Sequence, residues 1–313
     1  MILQAETDPI KWWEDSVACP RCEQALPGNS VCRGCGASPS AAPYGVDWTS
    51  SSDPYLAGLP PRRLLKTIRY YLSPWSNPLS PLKQLNRYRL EGYYERTISD
   101  GALAEEWFQH YLGGLGLSDG DTALDHGCGR GRHVGLMLQA SLRVAAQDIA
   151  AHPWWTRLGA CGFQVAPPDC PRLPWRDEAF SLVTDVGVIG HIPEQQLPGH
   201  VAEVLRVLKP GGAWVIQEPN SLGWAARVPR RHYGRLHDLA TVSDLSREIG
   251  FTPVDHWFEG FYAPVLPITI NFLRKQCSLR RFELSDHRSW AARLLPEHRR
   301  GDWVLRLRKP EKA

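Results

Sequence analysis

Residues 122–133 read TALDHGCGRGRH, and this stretch decides the fold. Thr122 to Asp125 predicts a short strand, three glycines at alternate positions follow, and a helical pattern extends to Gln139. Such a turn lets backbone N–H groups approach a nucleotide-like ligand closely, because any Cβ there would collide with it. The stretch therefore predicts a ligand-binding turn between a strand and a helix.

A second strand strengthens this interpretation. Residues 142–147 predict a strand that ends at Asp148, 23 positions after Asp125. An acidic side chain at that place of a βαβ unit can accept hydrogen bonds from both hydroxyls of a ribose. The alternative is that Asp148 only caps the next turn, and the neighbouring glycine turn favours ribose binding.

The later sequence continues the alternation of strands and helices. The predicted elements are a strand at 181–186, a helix at 194–208, a strand at 213–218, a helix that begins with a capping box of Thr241 and Asp244 and ends near Gly250, and strands near 253–258 and 303–308. Three further motifs lie among them: DCPRLPW at 169–175, VIGHIP at 188–193 and KPGG at 209–212.

Together, these ordered motifs resemble the class I S-adenosylmethionine-dependent methyltransferases over roughly residues 105–310. The resemblance implies an α/β fold with a Rossmann-like, seven-stranded, mostly parallel sheet flanked by helices, in which the final strand is reversed. It also implies S-adenosyl-L-methionine as the cofactor and methyl transfer as the activity.

The resemblance also implies a set of cofactor-binding residues. The methionine part is expected to be held by Asp125, Gly127, Gly129 and Gly131. Asp148 is expected to bind the ribose hydroxyls, and Ile149 is expected to pack on the adenine. Asp169 is expected at the adenine amino group, and Cys170 is expected at the adenine ring. The chain departs from the family pattern at Ala150 and in the short segment that carries Trp154 and Trp155.

His191 is the predicted catalytic residue. The resemblance places it after the fourth strand of the fold, where it faces the methyl-transfer centre in many family members. A hydroxyl acceptor needs a base with a pKa near neutrality, which an imidazole provides, whereas a carboxylate or an amine needs none. The alternative is a structural histidine in the following loop. His126 is predicted to be only a strand-end residue.

Four cysteines near the N-terminus form two CxxC pairs, Cys19/Cys22 and Cys32/Cys35, separated by nine residues. Paired knuckles of this kind give the tetrahedral four-thiolate geometry that zinc prefers, and they resemble zinc-ribbon modules. A reducing compartment disfavours the alternative of two disulfides. We therefore expect one structural Zn²⁺, with iron as the alternative ion because the same ligands accept it. A site filled by four cysteines has no open coordination position, so its role is structural or a contact with a partner.

The predicted domain order follows from these motifs. Residues 1–53 form the ribbon and a linker, with an irregular Ser, Ala and Pro-rich stretch from 38 to 53, and residues 54–104 form a helical lead-in or cap. Residues 105–313 form the methyltransferase domain, with a cap insert at 221–240 and a second insert at 262–301. Substrate specificity is expected in the inserts.

Composition limits the class of protein. The 313 residues are 43% hydrophobic and 22% charged, which permits a globular core. No stretch is long enough to predict a membrane span, and the N-terminus lacks a signal-peptide pattern, so a cytoplasmic enzyme is expected. Basic residues outnumber acidic ones 8 to 3 in residues 61–100 and 17 to 10 in residues 221–313, which is compatible with an anionic partner.

The predicted function is methyl transfer to a small-molecule, lipid-type or sugar-type intermediate. An Asn-Pro-Pro-aromatic segment and a Pro-Cys nucleophile are both absent, which disfavours two classes of nucleic-acid methylase. One alternative is a ribosomal or transfer RNA base methyltransferase that docks RNA through the ribbon and the basic flanks. A second alternative is a catalytically silent, cofactor-binding regulator whose ribbon contacts another protein.

Overall fold

The structure is a computed structural model. It describes residues 12, 16–20, 22, 24, 26, 32–37, 40–42, 45–47, 101–149, 151–159, 161–166, 172–222, 236–259 and 296–311. The predicted lead-in up to residue 100, Asp169 and Cys170, and most of both predicted inserts lie outside these residues.

The described elements alternate between strands and helices along the chain. They are β1 (Ser40–Ala42), β2 (Gly45–Asp47), α1 (Gly101–Tyr111), β3 (Thr122–His126), α2 (Arg132–Gln139), β4 (Arg143–Asp148), β5 (Gly162–Val165), β6 (Phe180–Val186), α3 (Leu197–Val207), β7 (Leu208–Pro219), α4 (Leu239–Ile249), β8 (Thr252–Glu259) and β9 (Asp302–Arg308). Three 3₁₀ turns lie at Pro153–Arg157, Ile189–His191 and Glu297–Arg299.

Strands β3 to β9 form the predicted seven-stranded sheet. Their spatial order is β5-β4-β3-β6-β7-β9-β8. The pairs from β5 to β7 are parallel, and β9 lies antiparallel between β7 and β8. The Rossmann-like fold class and the reversed final strand are therefore confirmed.

Two short strands extend this sheet beyond the prediction. β1 and β2 form a hairpin, and β2 pairs in parallel with β5, so that Val46 lies opposite Gln164. The stretch from 38 to 53, expected to be irregular, therefore contains two strands. Each strand has only three residues, too few for an alternating pattern, and β2 also depends on hydrogen bonds with β5, which is remote in sequence.

Helices cover both faces of the sheet. One core cluster joins Leu124 and Trp214 to residues of α3 and α4, and the described N-terminal residues, including the buried Val17 and Cys32, belong to this same cluster. The other cluster joins Ala123 of β3 to residues of α1 and α2. Neighbouring residues of β3 thus point to opposite layers, as the period of a strand requires.

Two predicted helix starts are corrected. α3 begins at Leu197 rather than at 194, because residues 194–196 form a turn after Pro193. α4 begins at Leu239, and its N-cap is Asp238, whose side chain accepts a hydrogen bond from the N–H of Thr241 at 2.8 Å. The predicted capping box is therefore wrong, since Thr241 lies inside the first turn.

Among the described residues, none of the helices combines the length and the apolar character that a membrane span requires.

Candidate functional site

The glycine turn joins β3 to α2 at the carboxyl edge of the sheet. Gly127, Gly129 and Gly131 all have positive φ, at 66°, 53° and 84°. A Cβ on Gly127 would lie 2.4 Å from the Val188 side chain, whereas a Cβ on Gly129 would have no atom of the described residues within 4 Å. Gly127 is thus required by packing, and the space beside Gly129 is open for a ligand.

Asp125 ends the buried part of β3 directly before this turn. Its Oδ1 accepts a hydrogen bond from the Thr184 hydroxyl at 2.9 Å, while its Oδ2 is buried and has no partner among the described residues. Burial raises the pKa of the Asp125 carboxyl to about 7, although the Thr184 hydrogen bond acts in the opposite direction. A buried carboxylate oxygen without a donor is a place for a ligand cation or N–H group.

Asp148 ends β4 and faces the same turn. Its Oδ2 accepts a hydrogen bond from the N–H of Gly129 at 2.7 Å, and its Oδ1 accepts one from the N–H of Ile149 at 2.7 Å. A carboxylate offers about four acceptor positions, a number suited to a group that binds both backbone N–H groups and ligand hydroxyls. The half-buried Ile149 follows the strand directly.

Trp155 and Phe163 form an aromatic pair beside the glycine turn that was not predicted from the sequence. The Trp155 indole N–H donates to the carbonyl of Gly129 at 2.9 Å, and its ring stacks on Phe163 with centroids 4.5 Å apart. Trp155 lies in the segment that departs from the family pattern. The sequence signal for this role is only the unusual tryptophan pair.

His191 lies at the exposed end of the 3₁₀ turn that follows β6. Glu218, at the end of β7, holds this turn because its carboxyl accepts hydrogen bonds from the N–H of Ile189 at 2.6 Å and of Gly190 at 3.4 Å. Burial raises the pKa of Glu218 to about 8, although these hydrogen bonds lower it. The turn that carries His191 therefore depends on one buried acid.

His126 does end its strand, but it also belongs to a polar cluster that was not predicted. Asp185 on β6 contacts His126 Nδ1 at 2.9 Å and His200 Nε2 at 2.8 Å, and the Trp214 indole N–H donates to it at 3.2 Å. Burial alone would raise the pKa of Asp185, yet the two histidines hold it well below its usual range. This network joins the ends of β3 and β6 to α3.

The four predicted metal ligands lie together. The sulfurs of Cys19, Cys22, Cys32 and Cys35 are all within 4.8 Å of one another. Tetrahedral Zn²⁺ with Zn–S bonds of about 2.3 Å places its sulfurs roughly 3.8 Å apart, so this donor set fits one zinc or iron ion.

Most of the predicted cofactor residues lie together in the structure, and two lie outside the described residues. The structure brings Asp125, Asp148 and the three glycines to one edge of the sheet, with His191 at the end of the neighbouring strand β6. The unpartnered Asp125 oxygen and the open space at Gly129 fit a cationic, nucleotide-like cofactor. Asp169 and Cys170 fall outside the described residues, so their assignment stays a prediction.

The strand order and the glycine turn define a Rossmann-like methyltransferase fold. Sequence comparison identifies the part that carries it, because residues 124–216 match the family described as a methyltransferase domain. The central part of the chain is therefore similar to a methyltransferase domain.

Individual relatives are more distant. The chain is 33% identical over 97 residues to a tRNA (carboxymethyluridine(34)-5-O)-methyltransferase of Arabidopsis thaliana, a match that covers 31% of this chain and 23% of the relative. It is 27% identical over 140 residues to a sterol 4-C-methyltransferase of Caenorhabditis elegans, covering 42% and 40%. The chain thus spans less than half the length of these curated relatives.

Among solved structures, the chain is similar to the 1,6-didemethyltoxoflavin-N1-methyltransferase of Burkholderia thailandensis. The identity is 20%, the TM-score is 0.44, and the match covers 75% of this chain and 93% of that one.

Proposed function

We propose that this protein is an S-adenosylmethionine-dependent methyltransferase that acts on a small-molecule, lipid-type or sugar-type intermediate. The observation that carries the proposal is the edge formed by the glycine turn, the unpartnered Asp125 oxygen and the Asp148 carboxylate. The match of residues 124–216 to a methyltransferase domain supports the same activity.

The proposed binding roles are those that the resemblance to class I methyltransferases implies, and the position of this edge supports part of them. Asp125 would accept the cofactor's amino group, Asp148 would accept its ribose hydroxyls, and Ile149 would pack on the adenine. Asp169 and Cys170 would complete the adenine side. Gly129 would let the backbone approach the ligand, because no side chain of the described residues occupies the space beside it.

When bound, S-adenosylmethionine supplies a methyl group on a positively charged sulfur, which is already a strong electrophile. The protein therefore needs mainly to hold an acceptor in line with that bond, an effect worth up to about 7–11 kcal/mol in well-oriented systems. For a hydroxyl acceptor, His191 would take the proton, and Glu218 would hold the turn that carries it.

We also propose that the four cysteines hold one structural Zn²⁺ in the reducing environment of the cytoplasm. The close approach of the four sulfurs supports this proposal. Iron is the alternative ion, and metal analysis of the purified protein distinguishes the two.

The acceptor class has two candidates. The sterol methyltransferase relative, whose match covers more of both chains, favours a small apolar acceptor. The tRNA methyltransferase relative and the basic flanking segments favour the RNA alternative, with the cysteine module as a docking element.

The test is transfer of labelled methyl from S-adenosylmethionine into a fractionated extract. We expect label in small-molecule or lipid fractions with the wild type and none with Asp148→Ala. Asp119→Ala, which changes an exposed aspartate, serves as the matched control and should transfer normally. Label that ribonuclease releases would replace the small-molecule proposal with the RNA alternative, and cofactor binding without transfer to any fraction would favour the silent regulator.

The role of His191 has a separate test. If His191 is the base, His191→Gln lowers the turnover number and removes the acidic limb of its pH profile, while cofactor affinity is unchanged. An unchanged pH profile would assign His191 a structural role.

A further inference from the structure

We infer that metal binding by the four cysteines and cofactor binding at Asp148 and the glycine turn strengthen each other. The inference rests on the proposed function, since it concerns the same cofactor site. It comes from the way the cysteine module, defined here as described residues within 16–37, docks on the segment at 173–176.

The docking contact is a short antiparallel backbone pairing. The N–H of Ala18 donates to the carbonyl of Pro174 at 3.2 Å, and the N–H of Arg176 donates to the carbonyl of Ser16 at 2.8 Å. Between them, Val17 lies opposite Trp175 in an isolated β-bridge. Both residues of this bridge are buried, at 1% and 0% exposure.

This pairing is continuous with the first metal knuckle. Residues 16–18 run directly into Cys19, whose N–H donates to the carbonyl of Gln24 at 2.9 Å. The N–H of Leu26 then returns to the carbonyl of Val17 at 3.2 Å. The backbone that docks on the 173–176 segment is therefore the same backbone that a bound metal would fix.

A second attachment of the N-terminal region lies at the edge of the sheet. Strand β2, which begins ten positions after Cys35, pairs with β5. The N-terminal region therefore contacts the rest of the chain at two places, the 173–176 segment and β5.

Trp175 extends the connection to the ribose side. Its fully buried indole N–H donates to the side chain of Gln147 at 3.0 Å, and Gln147 directly precedes Asp148 on β4. The carbonyl of Gln147 accepts a hydrogen bond from the N–H of Cys128 in the glycine turn at 3.0 Å. Two hydrogen-bonded steps therefore link the docking contact to the turn.

Helix α3 holds the same segment from its other side. Arg206 donates to the carbonyls of Trp175 at 2.8 Å and Leu173 at 3.0 Å, and Glu203 accepts from the N–H of Leu173 at 2.8 Å. These contacts do not involve the cysteine module. Loss of the metal should therefore weaken cofactor binding by about tenfold rather than abolish it, within the usual range of coupling between two sites.

Thermodynamic reciprocity gives a test that does not need a folded metal-free protein. If metal strengthens cofactor binding, bound cofactor must strengthen metal binding by the same factor. The full-length zinc-loaded protein is titrated with a chelator, with and without saturating S-adenosylhomocysteine, and zinc release is followed with a chromogenic indicator. We expect the product to raise the zinc affinity about tenfold.

Two variants serve as controls. Asp148→Ala should show no shift of its zinc affinity with S-adenosylhomocysteine, because it lacks the ribose-binding carboxylate. Arg33→Ala changes an exposed residue between two ligands of the module and should keep the full shift. Its zinc content shows whether the module tolerates substitution at a position that does not bind metal.

The outcomes separate the inference from the proposed function. Binding of S-adenosylhomocysteine without a shift in zinc affinity would overturn the inference and leave the proposed function intact. Failure of the zinc-loaded protein to bind S-adenosylhomocysteine would overturn both. A protein that retains no metal after purification with zinc or iron would overturn the inference alone.

Discussion

At the scale of single residues, Asp125 is the most informative position. Its identity as a cofactor residue was predicted from the glycine motif that follows it. Its unpartnered Oδ2 and raised pKa could not be predicted, because both depend on burial and on Thr184, which belongs to a strand 59 positions away. The hydrogen bonds of Glu218 and of Asp185 could not be predicted for the same reason, because their partners lie on other elements.

The state of Asp125 predicts proton release on cofactor binding. With a pKa of about 7, a large part of the carboxyl is protonated at pH 7, and a cation bound beside it favours the ionised form. Binding of S-adenosylhomocysteine should release a fraction of a proton per site at pH 7 and almost none at pH 9. Calorimetry in two buffers of different ionisation enthalpy measures this. Asp125→Asn should abolish the release and weaken binding at least tenfold.

The matched control for this experiment is Asp119→Asn, which changes an exposed aspartate. Release that persists in Asp125→Asn, or that is equal at pH 7 and pH 9, would contradict the assignment of the proton to Asp125.

The raised pKa of Glu218 predicts that the stability of the protein depends on pH. Because its folded pKa of about 8 exceeds the ordinary value of 4.5, the folded protein holds a proton that the unfolded chain has lost. The free energy of unfolding should therefore fall between about pH 4.5 and pH 8, by up to about 1.4 kcal/mol per pH unit from this group. Glu218→Gln should remove that part of the slope and be relatively more stable at pH 9.

Urea denaturation at several pH values measures this difference. Glu248→Gln, at an exposed position of α4, should keep the wild-type slope. A slope that is the same in wild type and Glu218→Gln would contradict the raised pKa of the buried acid.

At the scale of elements, most of the long strands were predicted closely, but the longest, β7, begins at Leu208, five positions before its predicted start at 213. β3, β4 and β6 lie within one or two residues of their predicted bounds because each is a run of apolar residues between turn signals. β1 and β2 were missed because their hydrogen bonds depend on each other and on β5. The start of α4 was misplaced because two acceptable capping residues, Asp238 and Thr241, lie three positions apart.

The glycine turn provides a paired prediction at this scale. Gly127→Ala should destabilise the fold by roughly 2–4 kcal/mol, since its Cβ would overlap Val188 and the positive φ adds strain. Gly129→Ala should cost only about 1 kcal/mol of stability but should lose cofactor binding. Thermal unfolding and calorimetric binding of both variants test this contrast. Normal cofactor binding by a folded Gly129→Ala protein would contradict the proposal that the cofactor lies against the backbone of Gly129.

At the scale of the whole molecule, the cysteine module and the methyltransferase sheet share one core. The sequence predicted two units from the spacing of their motifs. Their contact could not be predicted, because the pairing of Val17 with Trp175 joins residues that no local pattern relates. The candidate ligands of each unit could be proposed from the sequence because both motifs are local, whereas the connection between the units is a property of tertiary packing.

The measurement that tests the central claim most directly is equilibrium binding of S-adenosylmethionine to the purified full-length protein and to Asp148→Ala. We predict one binding site per chain for the wild type and a loss of affinity of at least tenfold for the variant, which should remain folded although it loses the hydrogen bonds from Gly129 and Ile149. Absence of wild-type binding, or equal affinity in the two proteins, would contradict the account of the site.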